Sequence, residues 1–465
     1  MVDASSGSPG AGVRRLLVIT YHFPPDGSVG GLRWAGYAKY LARLGWEVHV
    51  ITAAEQTPGA AVPGVHVHTC RRARTLNDLY NDVARSLRSA RSSGRPAAPS
   101  AAANDAPDSG SSPGLVGRIR RELAALLGFP DHGRGWVLKS AWTARRLLRR
   151  LPFDAVVTSG PPHSAHIAGM LATLGKPVLH RVDMRDPWSG LLDKEWGKRM
   201  YPALHARLLI PHLERVVLRR AAGIIANTNE FAAIARRSYP AVPVTWVPNG
   251  IDPERLPAVD AEPEPGLSIA HVGTLYAGRD LGPVLVALRD FLSAHPEARA
   301  QTRLHVAGSL SGANEVRFRE QVAAGALDDV VVVHGVVPSK EALALLSRSH
   351  LALVLAQDQE LQVPAKLYEC VALGLPTLVI AEPGSAAASE ARRIGALTCD
   401  PADTEAIVGI LLRLWLHPSS RRTAPRTAID YATLAAEMHR LLVEGRASAA
   451  RAYTGGEQAA RGGRA

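Results

Sequence analysis

The sequence predicts an α/β protein made of two Rossmann-like, doubly wound domains. Three observations predict it. Apolar runs of strand length alternate with helix-period stretches almost throughout the chain. The runs are continuous and β-branched rather than alternating, as strands buried on both faces of a parallel sheet require. The series of runs also starts afresh half-way along, as two separate domains would.

In the first half the runs are Leu16–Thr20, Val48–Thr52, Ala155–Ser159, Val178–Val182, Gly223–Ala226 and Val244–Val247. In the second half they are Leu267–Val272, Leu304–Ala307, Val331–His334, Leu351–Leu355 and Thr377–Ala381. Between them, Trp34, Tyr37, Ala38, Leu41 and Leu44 form a helical stripe that ends at Gly45. Val137, Ala141, Ala144, Leu148 and Leu151 form another. Ser339 is placed to cap a third, with Glu341 in its first turn. The spacing predicts domains over 13–244 and 245–425, joined through the Pro and Asn-Gly turn of VPNGID. Residues 89–114, rich in Ser, Pro, Ala and Gly, read as a disordered insertion, and 446–465 as a disordered tail.

Bulk properties narrow the class. The 465 residues carry a net charge of +12 and three cysteines. Cys70, Cys370 and Cys399 lack metal-ligand or redox spacing, so a reducing cytoplasm is expected. Residues 1–12 have no basic and apolar leader pattern. No apolar stretch approaches the ~20 residues of a membrane span. The basic residues are scattered along helices without interleaved aromatics, so no nucleic-acid partner is expected.

Five segments carry candidate chemistry. In YHFPPDGSVGGLRW, Gly30 and Gly31 let backbone N–H groups approach a ligand before a helix N-terminus. TSGPPHSAH follows a strand, where open α/β sheets bind ligands, and offers Ser159, His163 and His166. VLHRVDMRDPW places Asp183, Arg185 and Asp186 after a buried strand, where charges must pair or bind. Asp183 and His163 are the candidate catalytic groups. GTLYAGRDL brings Thr274 and Arg279, whose planar fork suits phosphate oxygens. In VPAKLYECVALGLP a helix starts after Pro364, so the Lys366 and Leu367 N–H groups join the Lys366 ammonium as an anion site. Glu369, one turn on, can accept two hydroxyls of a ribose. HVHTC sets His66, His68 and Cys70 on one strand face as a candidate zinc set, but without a fourth ligand no metal is assigned.

With PPHSAH, DMRDPW, PAKLYE and VPNGID in this order, the chain resembles the family-4 glycosyltransferases of GT-B fold from about Arg15 to Leu442. The resemblance implies two Rossmann-like domains facing one another across a cleft, the first for the acceptor and the second for a nucleotide sugar. It implies that a final helix within 426–445 returns to the first domain. It gives Arg279, Lys366 and the Leu367 and Tyr368 backbone the diphosphate, and Glu369 the ribose. It matches Gly30 and Gly31 to the family's N-terminal glycine loop. Two departures stand out: Leu361 replaces the first of a glutamate pair, with Glu360 adjacent, and Thr274 replaces a usual basic residue.

The function expected is retaining, metal-independent transfer of a sugar from a nucleotide-diphosphate sugar to a glycan, lipid-linked or small acceptor, with no cofactor. Fixed cations and helix N–H groups would stabilise the departing diphosphate. The rivals are a nucleotide-sugar epimerase on the same scaffold and a non-catalytic binding protein. Arg118, Arg120 and Arg121 near Leu123, Leu126 and Leu127, and Arg145, Arg146, Arg149 and Arg150, suggest basic amphipathic faces toward the anionic inner face of a membrane.

Overall fold

The computed structural model describes residues 13–26, 29–55, 62–79, 82, 122, 125–189, 203–256, 265–275, 278–310, 312–417 and 429–444. The expected insertion and tail, together with Arg118, Arg120, Arg121 and Leu123, lie outside these residues.

Two parallel-type sheets organise the chain. The first contains β1 (Arg14–Thr20), β2 (Trp46–Thr52), β3 (Val65–Thr69), β4 (Ala155–Gly160), β5 (Leu179–Met184), β6 (Gly223–Ala226) and β7 (Val244–Trp246), in the order β3-β2-β1-β4-β5-β6-β7. The second contains β8 (Leu267–Val272), β9 (Thr302–Ala307), β10 (Val331–Gly335), β11 (Leu351–Leu355), β12 (Thr377–Ile380) and β13 (Leu397–Cys399), in the order β10-β9-β8-β11-β12-β13. In each sheet the chain builds outward to one side and then returns to build on the other. The reversal falls between β1 and β4 in the first sheet and between β8 and β11 in the second. Both of these pairs are parallel. A ligand in such a sheet sits outside the carboxyl ends of the strands at the reversal.

The compact units are Met1–Gly31 with Glu47–Ile224 and Ser238–Pro243, and Leu32–Trp46 with Ile225–Arg237 and Val244–Ala465. In the first unit, Leu17, Ile19 and Val156 pack with Trp136 of the turn Arg134–Trp136, with Ala141 and Ala144 of the helix Val137–Arg150 and with Ala165, Ala168 and Ala172 of the helix Ser164–Thr173. The second sheet is covered on both faces. Ile269, Leu304 and Leu353 lie in one cluster, and their strand neighbours Ala270, Ala307 and Val354 lie in the other. Alternate side chains of a strand point to opposite faces, so both must be apolar. Each fully buried Leu, Ile or Val contributes about 1.5–3 kcal/mol.

The helix Val29–Arg43 ends as its sequence predicts: Gly45 has φ +86°, a conformation glycine adopts without steric cost. It starts earlier than predicted, so Gly30 and Gly31 lie in its first turn and not in a loop. Ser339 does not cap its helix. The extended residue ahead of Ser339–Arg348 is Pro338 (φ −57°, ψ 148°), and no side chain caps this end. The proline ring fixes φ and leaves Ser339 inside the first turn. The last helix, 431–444, packs in the second unit on Val29–Arg43, where the Tyr431 ring fills the space a side chain on Gly36 would need. Among the described residues no helix is long and apolar enough to cross a membrane.

Candidate functional site

In the second unit, the reversal between β8 and β11 brings two loops together. The loop after β8 carries Arg279, and the loop after β11 carries Gln357, Asp358 and Gln359. Gln357 Nε2 donates to the Asp280 carbonyl at 2.6 Å, and Arg279 Nη2 donates to Gln359 Oε1 at 3.2 Å. Asp358 has φ +57°, unusual for a residue with a side chain, and it lies against Gly278. A cavity of about 270 Å³ opens here between Arg279, Asp280 and Asp358 and the side chains of Asn314 and Arg317. Ahead of the Arg279 loop, the carboxyl ends of β8 and β9 meet through bare backbone. Gly273 N donates to the Ala307 carbonyl, Gly308 N donates to the Gly335 carbonyl, and Gly308 (φ +148°) lies so close to Gly273 that a Cβ there would overlap the Gly273 oxygen. Thr274, next in the chain after Gly273, is exposed.

The loop after β11 continues through Pro364 into the helix Ala365–Ala372. No side chain caps the start of that helix; Leu367 N turns back to the Pro364 carbonyl at 3.1 Å, and the N–H groups ahead of it are the ones an anion could meet. Lys366 Nζ and Glu369 Oε2 form an ion pair at 2.6 Å, one turn apart on a partly exposed face. The opposite face anchors the helix. Leu367 and Tyr368 are buried in the core, and Tyr368 Oη donates to Glu390 Oε1 at 2.9 Å. Arg393 holds Glu390 with two bonds of 2.6 Å. Burial and the Glu390 carboxylate push the Tyr368 phenol well above its usual range, so it stays a donor. Leu367 and Tyr368 therefore present no side chain to a ligand, and Leu367 N already donates to the Pro364 carbonyl at 3.1 Å. Leu361 is buried, and its carbonyl accepts from Thr228 Oγ1. Arg279 lines the cavity; Lys366 and Glu369 do not, but lie beyond the same loop. His271, on β8, gives Nδ1 to the Leu353 carbonyl at 3.1 Å, and burial lowers its pKa to about 4, so it is neutral.

In the first unit, the reversal between β1 and β4 gathers the other predicted residues. Arg185 reaches back to the turn after β4, with Nε donating to the Gly160 carbonyl and Nη2 to the Pro161 carbonyl. Its guanidinium also lies over Gly30, where a Cβ would come within 2.7 Å of Nη1. Gly31 similarly admits the Phe23 backbone. Asp183 is fully buried at the end of β5 and accepts from Ser159 Oγ at 2.8 Å; Asp186 is half-buried. His163 is buried and stacks on Trp188 at 5.1 Å, with no hydrogen-bond partner for Nδ1 among the described residues. Burial and then Arg185 lower its pKa to about 3. His166 and His180 share Thr158 Oγ1, each at 2.9 Å.

Other polar groups here have no signal in sequence spacing. His22 Nδ1 and Asp26 Oδ2 are 2.6 Å apart beside a cavity of about 360 Å³, where Tyr21 meets the His132 ring edge-on. Asp131 accepts from Ser164 N at 2.9 Å and from Ser164 Oγ, fixing the start of the helix that follows β4. Gln357, Gln359 and Asp131 act only because the strand order makes distant loops neighbours.

The fold is shared with solved structures. A sucrose-phosphate synthase from Thermosynechococcus elongatus superposes with a TM-score of 0.63 at 15% identity, covering 94% of this chain and 100% of that one. A glycosyltransferase from Rickettsia africae does so with a TM-score of 0.56 at 12% identity, covering 93% and 98%. The Anabaena protein HepE in complex with UDP does so with a TM-score of 0.54 at 14% identity, covering 95% and 100%. Two Rossmann-like sheets in this arrangement are the GT-B fold. The model of Glycosyltransferase Family 4 matches residues 97–255, and that of Glycosyl transferases group 1 matches residues 271–417. The chain belongs to the family-4 glycosyltransferases. No curated protein has a significant sequence match to it.

Proposed function

We propose that the chain transfers a sugar from a nucleotide-diphosphate sugar to a hydroxyl acceptor, with retention of configuration and without a metal ion or other cofactor. The observation that carries this reading is the neighbourhood of Arg279 and the uncapped helix Ala365–Ala372 at the carboxyl ends of β8 and β11. Arg279, the Lys366 ammonium and the backbone N–H groups of Lys366, Leu367 and Tyr368 would hold the diphosphate. Glu369 would accept from the ribose hydroxyls. As the sugar becomes oxocarbenium-like, charge grows on the leaving phosphate, and these fixed donors stabilise it without rearranging. On the same face, that phosphate would help remove the acceptor proton. Asp183 and His163 would position the transferred sugar or the acceptor.

The Anabaena structures contain UDP or UDP-glucose, and a Burkholderia xenovorans trehalose-phosphate synthase is UDP-forming, so UDP is the first nucleotide to test. Ligands of the native state raise the melting temperature, so a thermal-shift series of nucleoside diphosphates identifies the base. Incubation of the matching sugar nucleotide with candidate glycan and lipid-linked acceptors, in EDTA, should release nucleoside diphosphate and glycosylated product. An epimer formed from donor alone, or turnover only after Mg²⁺ is restored, would overturn the reading.

We also infer contact with an anionic membrane. On the helix Val137–Arg150, Leu138 is 77% and Trp142 61% exposed, at the same helical face as Arg146 and Arg149. Arg145 does not belong to this face: its guanidinium donates to the Leu171 and Leu174 carbonyls.

A further inference from the structure

The edge of the first sheet carries a cluster of imidazoles that plays no part in the site described above. β2 and β3 pair in parallel, with His49 opposite His66. Glu47 precedes His49 by two residues and His68 follows His66 by two, so all four side chains share one face of the sheet. His49 Nε2 lies 2.9 Å from Glu47 Oε1, and His66 Nε2 lies 4.0 Å from the same oxygen. One donor atom from each of Glu47, His49 and His66 falls within 4.8 Å of the other two. Among the described residues this is the one group of three such side chains that comes together.

We propose that Glu47, His49 and His66 form a binding site for one divalent transition-metal ion of the Zn²⁺ type, completed by water. Imidazole nitrogen and carboxylate oxygen are the ligands such ions take, and a tetrahedral ion separates its donor atoms by about 3.3 Å. The Glu47–His49 distance is already close to this, and rotation of the half-exposed His66 ring closes the remainder.

Surrounding contacts orient the ligands as metal sites require. Arg15 Nε binds Glu47 Oε2 at 2.7 Å, which turns Oε1 toward the imidazoles. His49 Nδ1 lies 3.0 Å from His68 Nε2, which leaves Nε2 of His49 for the ion once Nδ1 carries the proton. The Phe153 ring packs edge-on against His49 at 5.2 Å. Cys70, which the strand pattern groups with His66 and His68, is not a member. It lies past the end of β3, is buried, and directs its sulfur to Thr143 Oγ1 at 3.2 Å.

Glu47 and His66 are the second residues of β2 and β3 and His49 lies mid-strand, so the cluster is set back from the ligand loops at the carboxyl ends. The ion would therefore not act on the transferred sugar. It would tie β3, an edge strand, to β2.

The test uses the full chain, stripped with chelator and dialysed, titrated calorimetrically with ZnCl₂. One saturable site is expected, and Zn²⁺ should raise the melting temperature. His66→Asn, at a half-exposed position, should keep the metal-free melting temperature. It should weaken Zn²⁺ binding at least tenfold and abolish the thermal gain. His334→Asn removes one member of the two-histidine pair His305–His334, 3.0 Å apart on β9 and β10, and should leave the titration unchanged. No saturable binding, or equal isotherms for the native chain and His66→Asn, would overturn the proposal.

Discussion

Lys366 Nζ and Glu369 Oε2 face each other at 2.6 Å across one turn of the helix that follows β11. The two groups proposed for the phosphate and the ribose of one nucleotide thus neutralise one another. Binding would exchange this pair for two separate contacts to the ligand. Helical pairs of this spacing contribute only about 0.2–0.5 kcal/mol, so the exchange costs little.

Lys366→Ala should accordingly leave the melting temperature within about 2 °C of the native value. It should lower kcat/KM for donor by about tenfold to a hundredfold, the loss expected for a hydrogen bond to a charged group. Glu369→Ala should weaken nucleoside diphosphate binding in a calorimetric titration. Unchanged values in both variants would remove the phosphate and ribose assignments together.

Gly30→Ala would push its methyl group into the Arg185 guanidinium. Activity should fall while the secondary structure persists, since the displaced guanidinium loses its fit over the turn where it donates to the Gly160 and Pro161 carbonyls. Arg185→Ala should lower activity as well. The double variant should lose no more than the worse single variant, because the two changes act on one contact. Strictly additive losses would separate the residues.

Glu214 supplies a pH signature. It is buried, it accepts from Tyr239 Oη at 2.6 Å, and burial raises its pKa to about 7. The folded state therefore binds a proton that the unfolded chain releases near pH 4.5. The stability this gives is complete below pH 4.5 and is lost as the pH rises to about 7. The buried His163 and His180, lowered to about 3 and 4, act oppositely, costing stability as the pH falls below 6.5. Comparing the native chain with Glu214→Gln isolates the first effect. The native melting temperature, relative to the variant, should be higher at pH 5 than at pH 8. A constant difference would count against the raised pKa.

Trp142→Ser should reduce flotation with anionic vesicles without altering turnover on a soluble acceptor. Arg146 lies over the Trp142 ring at 5.6 Å, so Arg146→Glu should reduce flotation further. Equal flotation of the native chain on anionic and neutral vesicles would dismiss the membrane contact.

How much could be read from residues alone follows from how local each signal is. The helix carrying Lys366 was legible because Pro364 and Gly374 bracket it and β-branched runs flank it. The buried strands were legible because both faces are apolar. β13, Leu397–Cys399, is only three residues long and gives no periodicity to detect. β3 alternates histidine and valine, which marks an edge strand, but its partner histidine on β2 is set by register. Gln357, Gln359 and Asp358 are ordinary polar residues in a loop. Their role arises from the adjacency of β8 and β11, and no spacing along the chain expresses that.

The carboxyl ends of β8 and β9 meet through the peptide groups of Gly273 and Gly308, without side chains. Their N–H groups already donate to the Ala307 and Gly335 carbonyls, and peptide groups are the same in every protein, so this crossing cannot tell one sugar from another. Selectivity has to be written in the side chains of the bordering loops, at Thr274, Arg279, Gln357 and Gln359. Grafting those two loops from a relative with a different donor preference should carry that preference across while the sheet beneath stays as it is.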